Sequence, residues 1–282
     1  MKKNTLFSAF SKLDGILLVV VLIGSFINPI VGTVLGWGLV VFLIIEHRDG
    51  VAAFLGNYYY HNKKYAKAIN WYKTASKIKG TNIKNVKNYV FLEINFGSID
   101  EAETNLKALI EKNQYKDTNL IEIKLTEAMV YWKKDDLNRA IEVLRPLMND
   151  LNSSAIHGTL GYLLNYGDDL DEALSFNLNA STLYPEDIFI KSNLAQSYYF
   201  KKDFKEASKL LDKLLESHPR FPEPYYFKAL ILKTEGLTKE AFEMFDKAYK
   251  IPAATMSYVT KERIKEDSKD VNPKYNTEEE QE

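Results

Sequence analysis

The chain has 282 residues, with 37 basic and 38 acidic side chains, a formal net charge of −1 and no cysteine. The balanced charge argues against a general nucleic-acid binder. The missing cysteine excludes disulfide frameworks, thiolate metal sites and cysteine nucleophiles.

In chain order, residues 1–12 form a short N-terminal segment carrying Lys2, Lys3 and Lys12. From Gly15 to Ile45 there is no charged side chain. As one straight helix that run would extend about 46 Å, against a bilayer core of about 30 Å. Asn28-Pro29 sits near its middle. Asn is a favoured helix N-cap and Pro a favoured first helical residue. The pair predicts a transmembrane helical hairpin over 13–46, with spans of about 13–27 and 29–45. A single tilted span kinked at Pro29 is the competing reading. A cleaved signal peptide fits less well, because the apolar run is long and no small-residue cleavage site stands out before Glu46. Lys2, Lys3 and Lys12 precede the run, and Arg48, Lys63, Lys64 and Lys67 follow it. The positive-inside rule then puts both flanks in the cytoplasm, which only a hairpin allows. Gly32 and Gly36 have a small-xxx-small spacing. It suits packing within the hairpin or, in the sharper reading, homo-association.

Beyond Asp49 the pattern becomes periodic. Small residues recur at Ala68, Ala102, Ala140, Ala173, Ala207 and Ala241, separated by 34, 38, 33, 34 and 34 residues. Each sits at the start of the second of two helical patterns. The best-defined unit spans Phe54–Gly80, with Leu55, Gly56, Tyr59, Tyr65, Ala68, Tyr72 and Ala75. A second clear unit has Leu160, Gly161, Leu164, Leu170, Ala173, Ala180 and Pro185, with Asn177 where a large apolar residue is usual. A third has Leu194, Ala195, Tyr198, Phe204, Ala207, Leu211 and Pro219; a fourth has Tyr225, Ala229, Gly236, Ala241, Phe245 and Ala248. The units around Ala102 and Ala140 are weaker. Gly97, Asp135, Asp169, Asp203 and Gly236 stand where the chain must turn between helices.

This arrangement resembles the tetratricopeptide repeat, whose period is 34 residues. The resemblance covers 49–253 and implies an all-α fold: a solenoid of about six helix-turn-helix repeats following the N-terminal transmembrane hairpin. Each hairpin has too little apolar surface to fold alone, so stacking builds the core. The family binds protein or peptide partners along a concave groove lined by the first helix of each repeat. Carried over by position, that groove holds Asn57, Tyr60, Phe91, Asn95, Met129, Trp132, Tyr162, Tyr166, Asn165, Gln196, Tyr199, Phe200 and Tyr226. Amide side chains among them can pair with a bound peptide's backbone; the competing reading is that several of these rings are partly buried between repeats. Asn57 and Asn88 occupy two positions of the carboxylate clamp some family members carry. Glu122 and Thr126 stand where its basic residues belong, so no such clamp is expected.

No acidic residue occurs between Asp49 and Glu93, where there are eight lysines. Lys63, Lys64 and Lys67 are candidates for an anionic lipid surface; the alternative is a solvated basic face. After Ala253, residues 254–267 read as a capping helix with Met256, Val259 and Arg263 at helical spacing. Residues 268–282 read as a disordered acidic tail. The four histidines are scattered, and no HExxH, phosphate-binding loop, GxGxxG or nucleophile elbow occurs. The chain reads as a non-enzyme without metal or cofactor. The expectation is a bacterial, membrane-anchored scaffold with its repeats in the cytoplasm. An extracytoplasmic single-pass scaffold in envelope biogenesis and a peripheral lipid-surface sensor are the alternatives.

Overall fold

A computed structural model describes residues 12–112, 116–150 and 153–271. The expectations for residues 1–11, with Lys2 and Lys3, and for the acidic end beyond 271 lie outside the described residues. The regular secondary structure of the described residues is helical, with no strand. The chain divides into two units, 1–112 and 113–282, each described by itself.

The first unit opens with α1 (Lys12–Ile27) and α2 (Pro29–Glu46). Asn28 breaks the run between them: its side chain accepts from the Ile30 N–H at 2.8 Å, and Pro29 starts α2 without needing a donor. The two helices fold back on each other. Gly32 lies so close to Ser25 that an added Cβ would stand 2.1 Å from its Oγ, and Gly36 faces Val21. The glycine spacing is therefore used inside the hairpin. At its open end His47 Nε2 lies 3.6 Å from Asp14 Oδ2. The outer surface is apolar, with Phe26 93% exposed and Ile30, Val34 and Trp37 also bare. By length and composition, α2 is a helix able to cross a membrane, whereas the apolar part of α1, Leu13–Ile27, is shorter. Two helical hairpins follow: α3 (Arg48–His61) with α4 (Tyr65–Lys77), and α5 (Ile83–Phe96) with α6 (Ile99–Lys112).

The second unit continues the alternation. Helix α7 (Asp117–Lys133) pairs with α8 (Leu137–Leu144) and the short α9 (Leu147–Asp150). Then come α10 (Ser154–Leu164) with α11 (Leu170–Leu183), α12 (Ile188–Phe200) with α13 (Phe204–Leu215), and α14 (Glu223–Thr234) with α15 (Thr238–Lys250). The six recurring alanines are all fully buried. Close approach at a small residue is matched by a large one sixteen positions on. Ala195 and Leu211, and Ala229 and Phe245, are buried pairs, and a Cβ on Gly56 would stand 2.7 Å from the Tyr72 ring.

Asn177 takes the large-residue position opposite Gly161, and a polar network explains it. Its Nδ2 donates to the Gly161 carbonyl at 3.0 Å and to Ser197 Oγ at 2.9 Å. Ser197 Oγ donates to Asn165 Oδ1 at 2.6 Å, and Asn165 Nδ2 donates to the Asn193 carbonyl at 2.9 Å. The buried Asn177 Nδ2 is paired in this way, while its Oδ1 has no hydrogen-bond partner.

The turn residues divide by role. Asp135 and Gly236 adopt positive φ, as do Lys63 and Lys202 at two turns where the sequence offered no glycine. Asp169 and Asp203 instead cap α11 and α13 through their carboxylates. The segment read as a helix from 254 differs too. Residues 251–260 form an irregular strap, and the helix α16 runs only Lys261–Ser268. Ser257 Oγ accepts from the Val259 N–H, a local bond that competes with helix, and Thr260 caps α16. Ser268, placed by sequence at the start of a free tail, is buried, and Val271 still packs on the core.

Candidate partner groove

In the first unit, α3 and α5 bring Asn57, Tyr60 and Phe91 around a cavity of about 130 Å³, closed by Tyr72, Asn88 and Leu92. Burial raises the Tyr72 pKa, opposed by its hydrogen bond with Asn88. Asn95 is exposed, but its amide donates to the Phe91 carbonyl of its own helix at 2.7 Å, so its donor is already engaged. Lys63, Lys64 and Lys67 are exposed around the α3–α4 turn. The Lys67 ammonium lies 5.5 Å from the centre of the Tyr59 ring.

In the second unit the first helices of successive hairpins form an aromatic band. Trp132 on α7 meets Tyr162 on α10 and Tyr166 in the turn just after it, at ring separations of 5.9 and 5.5 Å. Tyr166 meets Phe200 on α12 at 5.5 Å. Tyr199 and Phe200 both pack on Phe227 of α14, and Tyr226 adjoins Phe227. Met129 and Trp132 stay partly exposed. Gln196 and Tyr226 are buried, and Asn165 is taken up by the network around Asn177. Asn165 is therefore not available to a partner's backbone.

Much of the band is covered from within the chain. The strap crosses it: the Tyr258 N–H donates to the Tyr162 hydroxyl at 2.6 Å, and the Tyr258 ring lies 4.7 Å from that of Tyr166. Arg263 stacks on Tyr258 at 3.7 Å. Helix α16 sits over Tyr226, whose hydroxyl hydrogen-bonds the Asp267 carboxylate, and Lys233 Nζ donates to the Asp267 carbonyl at 2.7 Å. Val259 and Ile264 are fully buried in the same cluster as Phe227 and Phe245. Burial raises the pKa of Tyr166, and burial with the Asp267 contact raises that of Tyr226. Both phenols are neutral at physiological pH.

Glu223 anchors the strap. It is buried at the start of α14 and accepts from Ser257 Oγ at 2.5 Å. Burial holds its carboxyl above the usual range, partly offset by the Ser257 bond. A raised folded pKa means that the folded chain binds this proton more tightly than the unfolded chain. The stabilisation is complete below the unfolded pKa, near 4.3, and is lost as pH rises through the folded value. Glu223→Gln is therefore expected to flatten the fall in stability between about pH 4.3 and neutrality, read by urea denaturation of both proteins across that range. A wild-type slope unchanged by the substitution would contradict the assignment.

Sequence reasoning missed Phe227, Tyr258, Glu223 and Ser257. Glu223 follows Pro222 in a first helical turn, where an acid reads as a partner of the helix dipole. Tyr258 reads as part of a helix, and nothing local shows that it returns to a residue 96 positions earlier.

Comparison with known proteins places this geometry. Residues 51–82 and 192–255 match tetratricopeptide repeat family models. The fold is similar to that of a tetratricopeptide repeat protein from Parabacteroides merdae, with a TM-score of 0.65 at 16% identity, covering 93% of this chain and 99% of that one. It is also similar to a chain of the APC/C Cut9–Hcn1 hetero-tetramer, with a TM-score of 0.58 at 15% identity over 81% of this chain and 44% of that one. Human IFIT1, in a dimer with PPP-AAAA, gives a TM-score of 0.51 at 13% identity over 72% and 48%. At these identities the likeness speaks for the fold alone, an all-α helical solenoid.

Proposed function

We propose that this tetratricopeptide-repeat chain is a membrane-anchored interaction scaffold, binding a protein or peptide partner on the aromatic band and holding it at the bilayer. The observation that supports it most is the part of the band that the strap and α16 leave open, where Met129, Trp132, Tyr199 and Phe200 stay partly exposed. Such a surface suits apolar anchors on an extended segment or an amphipathic helix. Anchoring is supported by the bare apolar surface of α1 and α2, joined to α3 through the single residue His47. Fixing a partner at the membrane raises its effective concentration beside other membrane components. The charge flanking the hairpin favours a cytoplasmic repeat array.

Lys63 and Lys64 lie beyond the far end of the 14-residue α3 from the hairpin. With Lys67 they are the candidates for an anionic lipid surface, the alternative being a solvated basic face.

The test is partner capture in cells by a photo-crosslinking residue placed at Met129. Trp132→Ala is expected to weaken that capture by about 2 kcal/mol, roughly thirtyfold, as a buried aromatic anchor does. Capture unchanged by Trp132→Ala, with folding intact, would count against the groove.

A further inference from the structure

A cavity of about 270 Å³ lies between α10, α12, the start of α14 and the strap. We propose that it is a binding site for an alkyl cation, a guanidinium or ammonium group on an aliphatic stem.

The first observation is Gln196. Its side chain lines the cavity and is 1% exposed. Its Nε2 donates to Ser192 Oγ at 3.3 Å, while Oε1 has no hydrogen-bond partner. A buried acceptor left unpaired costs about 1–3 kcal/mol, and a ligand N–H would satisfy it.

The second is the sign of the charge. Among the described residues lining the cavity the ionisable acids are Asp187 and Glu223, and there is no Lys, Arg or His. Asp187 uses Oδ1 to cap α12, accepting from the Phe189 and Ile190 N–H groups. Glu223 is held by Ser257. An anion entering here would meet two carboxyls and no counter-charge. A neutral apolar group would leave Gln196 unpaired.

The third is the wall. Phe189 and Phe221 stack at the cavity, their rings 4.5 Å apart and 27° from parallel, and Phe189 is exposed. Met256 of the strap adds apolar lining. Aromatic faces take an aliphatic stem and attract the cation it carries. The volume falls just below the range of about 300–1,000 Å³ for drug-sized ligands, so one side chain or a small free amine fits.

The cation comes from one of two sources, a basic side chain of a bound peptide or a free alkylamine. In the first case the inference rests on the groove reading above; in the second it stands alone. The experiment is isothermal titration of the full chain in mild detergent with n-butylguanidinium, and with n-butylurea as the neutral isostere. The guanidinium is expected to bind at least tenfold more tightly than the urea. Gln196→Leu and Glu223→Gln are each expected to weaken it at least tenfold, and Gln196→Glu, which keeps the side-chain size, to strengthen it. No guanidinium binding, equal binding of the urea, or affinity unmoved by Gln196→Glu overturns the proposal. Tighter binding of the peptide acetyl-Ala-Leu-Arg-Leu-Ala-amide than of n-butylguanidinium identifies a peptide source, and weaker binding a free amine. Loss of cation binding while Trp132-dependent capture persists overturns this inference alone. Loss of that capture with cation binding intact overturns the groove reading alone.

Discussion

Phe245→Ala is expected to lower the stability of the second unit by about 3–5 kcal/mol, the cost of emptying a well-packed aromatic site. Phe245 is fully buried on α15, opposite the small Ala229, and its ring adjoins that of Tyr226. The same cluster holds Val259 and Ile264 of the strap and α16. The cavity would therefore loosen the repeat stack and the docking of its own C-terminal segment together. Against a typical domain stability of about 5–15 kcal/mol, that is a large fraction. Urea denaturation of the full chain in detergent reads it. Leu178→Ala, at a site 41% exposed, serves as the control, expected at about 0.5 kcal/mol or less. A loss below about 1 kcal/mol for Phe245→Ala would mean that the site is not packed as described.

Removing residues 1–46 is expected to move the protein wholly from carbonate-washed membranes to the soluble fraction. On the insertion scale each central Leu, Ile, Val or Phe contributes about −0.3 to −0.6 kcal/mol, so the apolar run supplies about 10 kcal/mol before its polar residues are subtracted. Asn28, Thr33 and Ser25 reduce that sum, but each has a hydrogen bond within its own helix or cap. The remaining chain keeps its repeat helices, which circular dichroism reads. A truncated protein that still pellets, or a full chain extracted by carbonate, would contradict the anchor.

The repeat alternation was legible because it rests on a local rule. A small residue is needed wherever two helices touch, and Ala68, Ala102, Ala140, Ala173, Ala207 and Ala241 are buried for that reason. The helix break at Asn28-Pro29 was legible on the same grounds, since capping is decided within a few residues. The strap was not. Residues 254–267 carry helical spacing, and only the distant partners Tyr162, Tyr166 and Glu223 draw the first seven of them into an irregular path. The groove was legible as a row of rings and illegible as a covered surface. Tyr226 and Gln196 fall at the family's groove positions, yet both are buried, Tyr226 against Asp267 far along the chain. Asn177 read as a departure from pattern. Its role needed the positions of Gly161, Asn165 and Ser197, which lie on two other helices.

The central claim, that a membrane hairpin displays the repeats to the cytoplasm, is tested most directly by single-cysteine labelling. The chain has no cysteine of its own, so each introduced thiol reports alone. Ser217 is exposed just beyond α13, and Ile27 is exposed at the hairpin turn. Cells expressing Ser217→Cys or Ile27→Cys are treated with a membrane-impermeant thiol reagent, before and after lysis. The account predicts that Ser217→Cys is protected in intact cells and labels only after lysis, while Ile27→Cys labels from outside. Labelling of Ser217→Cys in intact cells would contradict it and put the repeats on the outer face of the membrane.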